Sequence, residues 1–256
     1  MTSRLILFSV LTTGCSPHIT SDADSVTFEE PVVGIVTDLG AGEVTITGAD
    51  TVGAVVYREV EWAGSHRPSV DAWVSDGILY LTADCTGKII CQADHDVVVS
   101  EAIWSDIRTG AGDVLVRGLD EGARVETGSG DISLLQVYGD IFAETGSGSL
   151  TIEDSIGALD LSTGSGDVTV RAEQASRLML STGSGDVDVD ILYGLLDADV
   201  ATGSGDVTLA VPAGSYAMNI STGSGDVDLS NVTEAVQSDR RIEISTGSGD
   251  VEVVGQ

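Results

Sequence analysis

The sequence predicts an all-β fold: a single-stranded parallel β-helix, a solenoid of right-handed coils of about 18–20 residues each. Three observations predict it. The motif Thr-Gly-(Ser/Ala)-Gly-(Asp/Ser) starts at Thr109, Thr127, Thr145, Thr163, Thr182, Thr202, Thr222 and Thr246, at spacings of 18, 18, 18, 19, 20, 20 and 24 residues, and such self-similarity marks a repeat architecture. Apolar–polar alternation flanks each copy, as in Leu159-Asp160-Leu161 before a turn and Val168-Thr169-Val170 after it, which is the period of a half-buried strand. With 32 Gly, 42% hydrophobic residues and only 4% aromatic residues, the composition suits many short strands joined by tight turns.

Residues 1–14 read as a secretory signal: Arg4 is a short basic segment, Leu5 to Leu11 an apolar one, and Gly14 precedes Cys15. The apolar stretch is too short to cross a bilayer. It resembles a bacterial lipoprotein signal, which makes Cys15 the lipidated residue and the membrane anchor. Thr12 departs from that signal, which prefers Leu three places before the Cys. Here Leu11 stands one place earlier. Ser16, where Asp would mark inner-membrane retention, points to the outer membrane. Residues 15–29 then form a tether, and the rest holds no apolar run of transmembrane length.

Residues 30–105 are expected to form N-terminal coils and a cap. A degenerate turn, LGAGEVTI, begins at Leu39, and strand-like alternation runs through AVVYREVEW and DVVVSEAIW. Cys85 and Cys91 remain as a pair, and in an oxidising compartment they are expected to form a disulfide closing a small loop. A metal site with His95 as third ligand is the rival reading. Trp62, Trp73 and Trp104 all fall in this region and are expected to fill the solenoid's end, with carbohydrate stacking as the functional alternative.

Residues 106–256 form the regular solenoid. One repeat cannot bury its own apolar face, but stacked repeats bury a continuous one. The corner glycines provide positive φ or let stacked backbones approach closely. The motif Thr falls on the inward side, where its methyl can pack and its hydroxyl can bond a neighbouring coil. The last motif runs to Gln256, so the C-terminal edge is expected to be bare, either blunted by Asp250 and Glu252 or paired end to end with another copy.

Eleven basic residues against 41 acidic ones leave a formal charge of −30, with Lys88 the only lysine. Such a surface repels nucleic acid and favours cations, basic proteins or cationic sugars. Stacking sets Asp113, Asp131, Asp167, Asp186, Asp206, Asp226 and Asp250 in one file, broken by Ser149. Their mutual repulsion is offset either by backbone N–H groups of the turns or by cations. In the second reading Asp167, Asp186, Asp206 and Asp226 are calcium ligands, by partial analogy with the Gly-x-Gly-x-Asp turns of a calcium-binding β-roll. No nucleophile, metal or phosphate-loop motif surrounds His18, His66 or His95. A glycan-active β-helix enzyme is the remaining catalytic alternative. Its basic candidates Arg108, Arg117, Arg124, Arg171 and Arg177 do not gather in one column.

The run of ETGSGDI, STGSGDV and ATGSGDV coils, with the preceding Cys85…Cys91-Gln-Ala-Asp-His segment leading into DVVVSEAIWSDIRTGAGDVLVRG, resembles the bacterial putative-adhesin β-strand-repeat family, a domain of unknown function. The resemblance covers roughly residues 30–256. It implies a β-helix in an envelope or surface setting and carries over no binding residue. Together these features predict a non-enzymatic envelope module, an adhesin or scaffold, with no cofactor and with an envelope protein or glycan as its partner.

Overall fold

A computed structural model describes residues 19–85 and 90–256. The signal segment, Cys15 and Lys88 therefore lie outside the described residues. All regular structure in the described chain is β-strand. The N-terminal strands are β1 (Ile19–Phe28), β2 (Gly34–Leu39), β3 (Val44–Ala49), β4 (Ala54–Ala63), β5 (Ser69–Ser75), β6 (Ile78–Asp84) and β7 (Cys91–Ser100). The repeat region supplies β8 (Trp104–Thr109), β9 (Val114–Leu119), β10 (Ala123–Thr127), β11 (Ile132–Val137), β12 (Ile141–Thr145), β13 (Leu150–Ile156), β14 (Leu159–Thr163), β15 (Val168–Gln174), β16 (Arg177–Thr182), β17 (Val187–Tyr193), β18 (Asp197–Thr202) and β19 (Val207–Val211). The C-terminal strands are β20 (Gly214–Thr222), β21 (Val227–Ser230), β22 (Val232–Glu234), β23 (Arg241–Thr246) and β24 (Val251–Gly255).

The strands form two 12-stranded sheets. From β8 to β19 the even-numbered strands lie in one sheet (the β8 sheet) and the odd-numbered strands in the other (the β9 sheet). Each coil is thus one strand from each sheet, joined at a Gly-rich corner. Pairing between coils is parallel and in register, so Thr127 lies between Thr109 and Thr145. Alternation sends Val116, Leu134, Ile152, Val170, Val189 and Leu209 inward from the β9 sheet, all fully buried. They meet Ile107, Val125, Ala143, Leu161, Leu180 and Val200 from the other sheet, also buried.

The corners explain their residues. The first glycines stand in single file: a Cβ at Gly164, Gly183 or Gly203 would sit 2.5 Å from the carbonyl oxygen of the corresponding glycine one coil below. The second glycines are more constrained still, for Gly185 has φ +149° and a Cβ there would lie 2.1 Å from Gly166 O. Only glycine meets both conditions. The motif threonines are buried, and their hydroxyls donate to second-glycine carbonyls of the adjoining coil: Thr145 to Gly130 at 3.0 Å, Thr163 to Gly148 at 2.9 Å and Thr246 to Gly205 at 3.2 Å. These bonds satisfy carbonyls that would otherwise be left unpaired at the corner.

Both ends depart from sequence order. The first coil, β2–β3, lies between the β6–β7 coil and the β8–β9 coil. The last coil, β23–β24, lies between the β18–β19 coil and β20–β21. After β19 the chain therefore skips a layer, builds the outermost coil, and returns to fill the gap. Tyr216 occupies the core at the skip: it is fully buried, its hydroxyl donates to Pro212 O at 2.6 Å, and the Arg240 guanidinium covers its ring. This corrects the expectation of a bare edge at the C-terminus. The terminal strands are paired on both sides, and the exposed edge belongs to β21, where Val227 and Leu229 are 45% and 42% exposed.

At the other end, β4 and β1 extend the β9 sheet antiparallel, and β5 extends the β8 sheet through a hairpin whose Asp76 and Gly77 both have positive φ. Positive φ at both central residues is the type I′ geometry that suits twisted strands. Residues 19–28, expected to be tether, are strand β1. It pairs with β4 over all ten residues, Phe28 packs against the core, and its inward side carries a buried ion pair. Asp24 is buried against Arg58, with Nε and Nη2 each 2.8 Å from a carboxylate oxygen, and Arg58 also donates to Val70 O. A disulfide joins Cys85 to Cys91 across the corner between β6 and β7, where this coil lacks the Gly-Ser-Gly turn. Of the three tryptophans only Trp62 is core; Trp73 and Trp104 lie on the outer face of the β8 sheet, 43% and 37% exposed.

Candidate functional site

That outer face is the candidate site. Strand register sets Asp106, Arg124, Phe142, Asp160 and Met179 side by side on β8, β10, β12, β14 and β16. Beside this row, at the strand starts and the returns before them, run Trp104, Gly122, Asp140, Ala158 and Arg177. The small residues in the middle leave a groove of about 480 Å³. Trp104 pairs with Gly34 and lies flat across β2, since a Cβ at Gly34 would come within 2.5 Å of the indole. The Arg124 guanidinium stacks 3.9 Å from the centroid of Phe142 and also pairs with Glu126. Arg177 closes the far end, its guanidinium on Met179 Sδ. Asp106 gives one oxygen to Arg108 at 3.2 Å, while its Oδ1 has no donor. Further along the same face Trp73 stacks on Tyr80, with centroids 5.2 Å apart.

Sequence reasoning missed this groove. As expected, the arginines do not gather in one column: Arg124, on β10, and Arg177, on β16, line the same groove from neighbouring rows. The available signal was the 18-residue offset from Trp104 through Gly122 and Asp140 to Ala158. Arg117 and Arg171 lie on the opposite sheet.

The motif acids stand in file, in the order Asp113, Asp131, Ser149, Asp167, Asp186, Asp206, Asp250, Asp226, because the last coil is inserted. Along the file a carboxylate accepts the backbone N–H of the corresponding residue one coil on: Asp131 from Ser149 at 2.8 Å, Asp167 from Asp186 at 2.9 Å, Asp186 from Asp206 at 2.9 Å, Asp206 from Asp250 at 2.8 Å and Asp250 from Asp226 at 2.8 Å. Each such bond gives a carboxylate oxygen a backbone partner and ties one coil to the next. Among the described residues no three His, Cys, Asp or Glu side chains converge on a point that could hold a metal ion. The calcium reading of Asp167, Asp186, Asp206 and Asp226 thus has no converging donor set there.

His95, the rival metal ligand, faces inward beside Arg58 and is only 2% exposed. Its Nδ1 lies 3.0 Å from Ala93 O, and its Nε2 has no partner. Burial, aided by the Arg58 charge, lowers its pKa to about 4, against raising contributions from Ala93 O, Asp94 and Asp24. The folded state therefore holds neutral His95 where the unfolded chain binds a proton. The resulting stabilisation is complete above about pH 6.5 and is lost as pH falls toward 4. It amounts to about 3 kcal/mol at most, at 1.36 kcal/mol per unit. Urea unfolding at pH 7 and pH 4.5 is expected to show a smaller acid loss for His95→Gln than for the wild type. Equal losses would mean that His95 is not the buried neutral group.

The Toastrack DUF4097 family model matches residues 105–254, taking in all eight motif coils. No curated protein matches the chain. Among solved structures, a putative adhesin from Parabacteroides distasonis ATCC 8503 is 14% identical, with 91% of this chain and 96% of that one covered and a TM-score of 0.51. A putative lipid binding protein from the same strain is 11% identical, with 90% and 96% covered and a TM-score of 0.46. A putative adhesin from Bacteroides fragilis NCTC 9343 is 12% identical, with 93% and 98% covered and a TM-score of 0.35. At such identities the likeness concerns the fold. The family match spans more than half of the chain and every regular coil of the solenoid, and on that ground the chain belongs to the Toastrack DUF4097 family.

Proposed function

We propose that this protein is a non-enzymatic module of the bacterial cell envelope, an adhesin or scaffold, exported and tethered to the outer membrane through a lipid on Cys15. The observation that carries the reading is the outer face of the β8 sheet. Exposed aromatic and arginine side chains are arrayed there on a stack of in-register strands. The solved structure of like fold described as a putative adhesin supports it. The −30 charge favours partners other than nucleic acid. On intact cells an added protease is expected to degrade the protein, and Cys15→Ser to release it from the membrane fraction. A protein shielded from protease until the envelope is broken would sink the reading.

The exposed β21 edge favours a second mode, self-association through that end of the solenoid, since an uncovered strand with exposed Val227 and Leu229 is a template for pairing. Sedimentation velocity is expected to show a concentration-dependent dimer that Leu229→Lys abolishes. A monomer at all concentrations would exclude this mode.

A further inference from the structure

We infer that the groove between Trp104 and Arg177 binds a linear, uncharged glycan lying along the solenoid axis. The inference deepens the surface-module reading and rests on it. The groove crosses β8 to β16, four strand spacings, or about 19 Å at roughly 4.8 Å each. Its volume of about 480 Å³ falls within the ordinary range of ligand sites, and its length calls for an extended occupant.

The chemistry of the walls selects the class. Trp104 offers a flat apolar face, held down by the absence of a side chain at Gly34. Arg124 stacked on Phe142 gives a second flat wall. Flat aromatic faces take the C–H faces of sugar rings, an apolar contact with fixed geometry. Between these walls stand groups that complement hydroxyls in both directions. Asp106 and Asp160, both lining the groove, accept from sugar O–H groups. Arg177, which has no carboxylate partner among the described residues, donates to sugar oxygens. A polyanion is disfavoured by the −30 charge and by Asp106, Glu121, Asp140 and Asp160 in the groove, and a polycation, although those acids attract it, leaves the donors of Arg124 and Arg177 facing like charge. An uncharged polyhydroxyl chain meets neither objection.

The test uses the purified full chain and isothermal titration calorimetry, which needs no tryptophan as reporter. The chain is titrated with hexasaccharides of β-1,4-glucose, β-1,4-N-acetylglucosamine, β-1,4-mannose and α-1,4-glucose, with a galacturonate hexamer and with hexalysine. A saturable heat with at least one uncharged hexamer is expected. Trp104→Ala is expected to weaken it about tenfold or more, as for a central aromatic anchor. Trp104→Phe should retain most of the binding, and Arg177→Gln should weaken it while the melting temperature stays unchanged. Binding of hexalysine or the galacturonate alone would overturn the inference, as would no binding at all, or binding that Trp104→Ala leaves intact. Each of these results is read in solution, apart from exposure on cells, so the surface-module reading can stand while the glycan falls.

Discussion

Gly185→Ala is expected to lose about 3 kcal/mol or more of stability, while Ser184→Ala, one residue away, changes it by no more than about 0.5 kcal/mol. Two independent costs meet at Gly185. Its φ of +149° is a conformation that an L side chain rarely adopts, and its Cβ would lie 2.1 Å from Gly166 O and 2.5 Å from the carbonyl carbon. Those atoms are backbone and cannot rotate away. The carbonyls of this file also accept the threonine hydroxyls, as Gly185 O does from Thr202 at 3.3 Å. Displacing the corner therefore loosens the inter-coil bonds as well. Because each coil touches only its neighbours, the damage should divide the solenoid: urea unfolding followed by hydrogen exchange should show the coils beyond β17 opening before those below it. Gly183→Ala should be milder, since that glycine carries only the steric constraint. A Gly185→Ala protein within 1 kcal/mol of the wild type would mean that the corners do not stack closely.

How much of this was legible in the sequence depended on whether a feature is local to the coil. Period-two alternation fixed which face of each strand is inward, and in β10 the buried residues are Ala123, Val125 and Thr127, as alternation requires. The glycine file and the inward threonines follow from the same register. What was not legible is layer order. Parallel in-register coils with the same motif can stack in any sequence, because Thr202, Thr222 and Thr246 present the same corner. Only the 24-residue spacing and the long return 230–241 hint that the last coil is placed differently. Strand β1 was hidden because ITSDADSVTF buries Asp24 on Arg58 and offers no run of aliphatic residues. The groove was hidden because its walls are contributed by five strands, no two of them consecutive in sequence.

The inserted layer makes the chain terminus one of the best protected parts of its end of the molecule. In the intact protein, amides of β23 and β24 are expected to exchange with solvent far more slowly than those of β21 and β22, although they lie closer to Gln256. Both edges of β23 and β24 are bonded, and Ile242, Ile244, Val251 and Val253 are fully buried, whereas β21 is exposed along its length. Removing residues 241–256 should then do far more than trim an end. It deletes four buried aliphatic side chains, each contributing about 1.5–3 kcal/mol, so the loss is on the order of 6 kcal/mol or more. It also leaves β20 and β21 two strand spacings from β18 and β19, too far to pair. Exchange in the truncated chain should show 214–234 unprotected and β18–β19 newly open. In a solenoid stacked in sequence order the same truncation would expose only the layer beneath the deleted one, and β23–β24 would be the fastest-exchanging strands of the intact chain. Observing that second pattern would show that the terminal coil is not held between its neighbours.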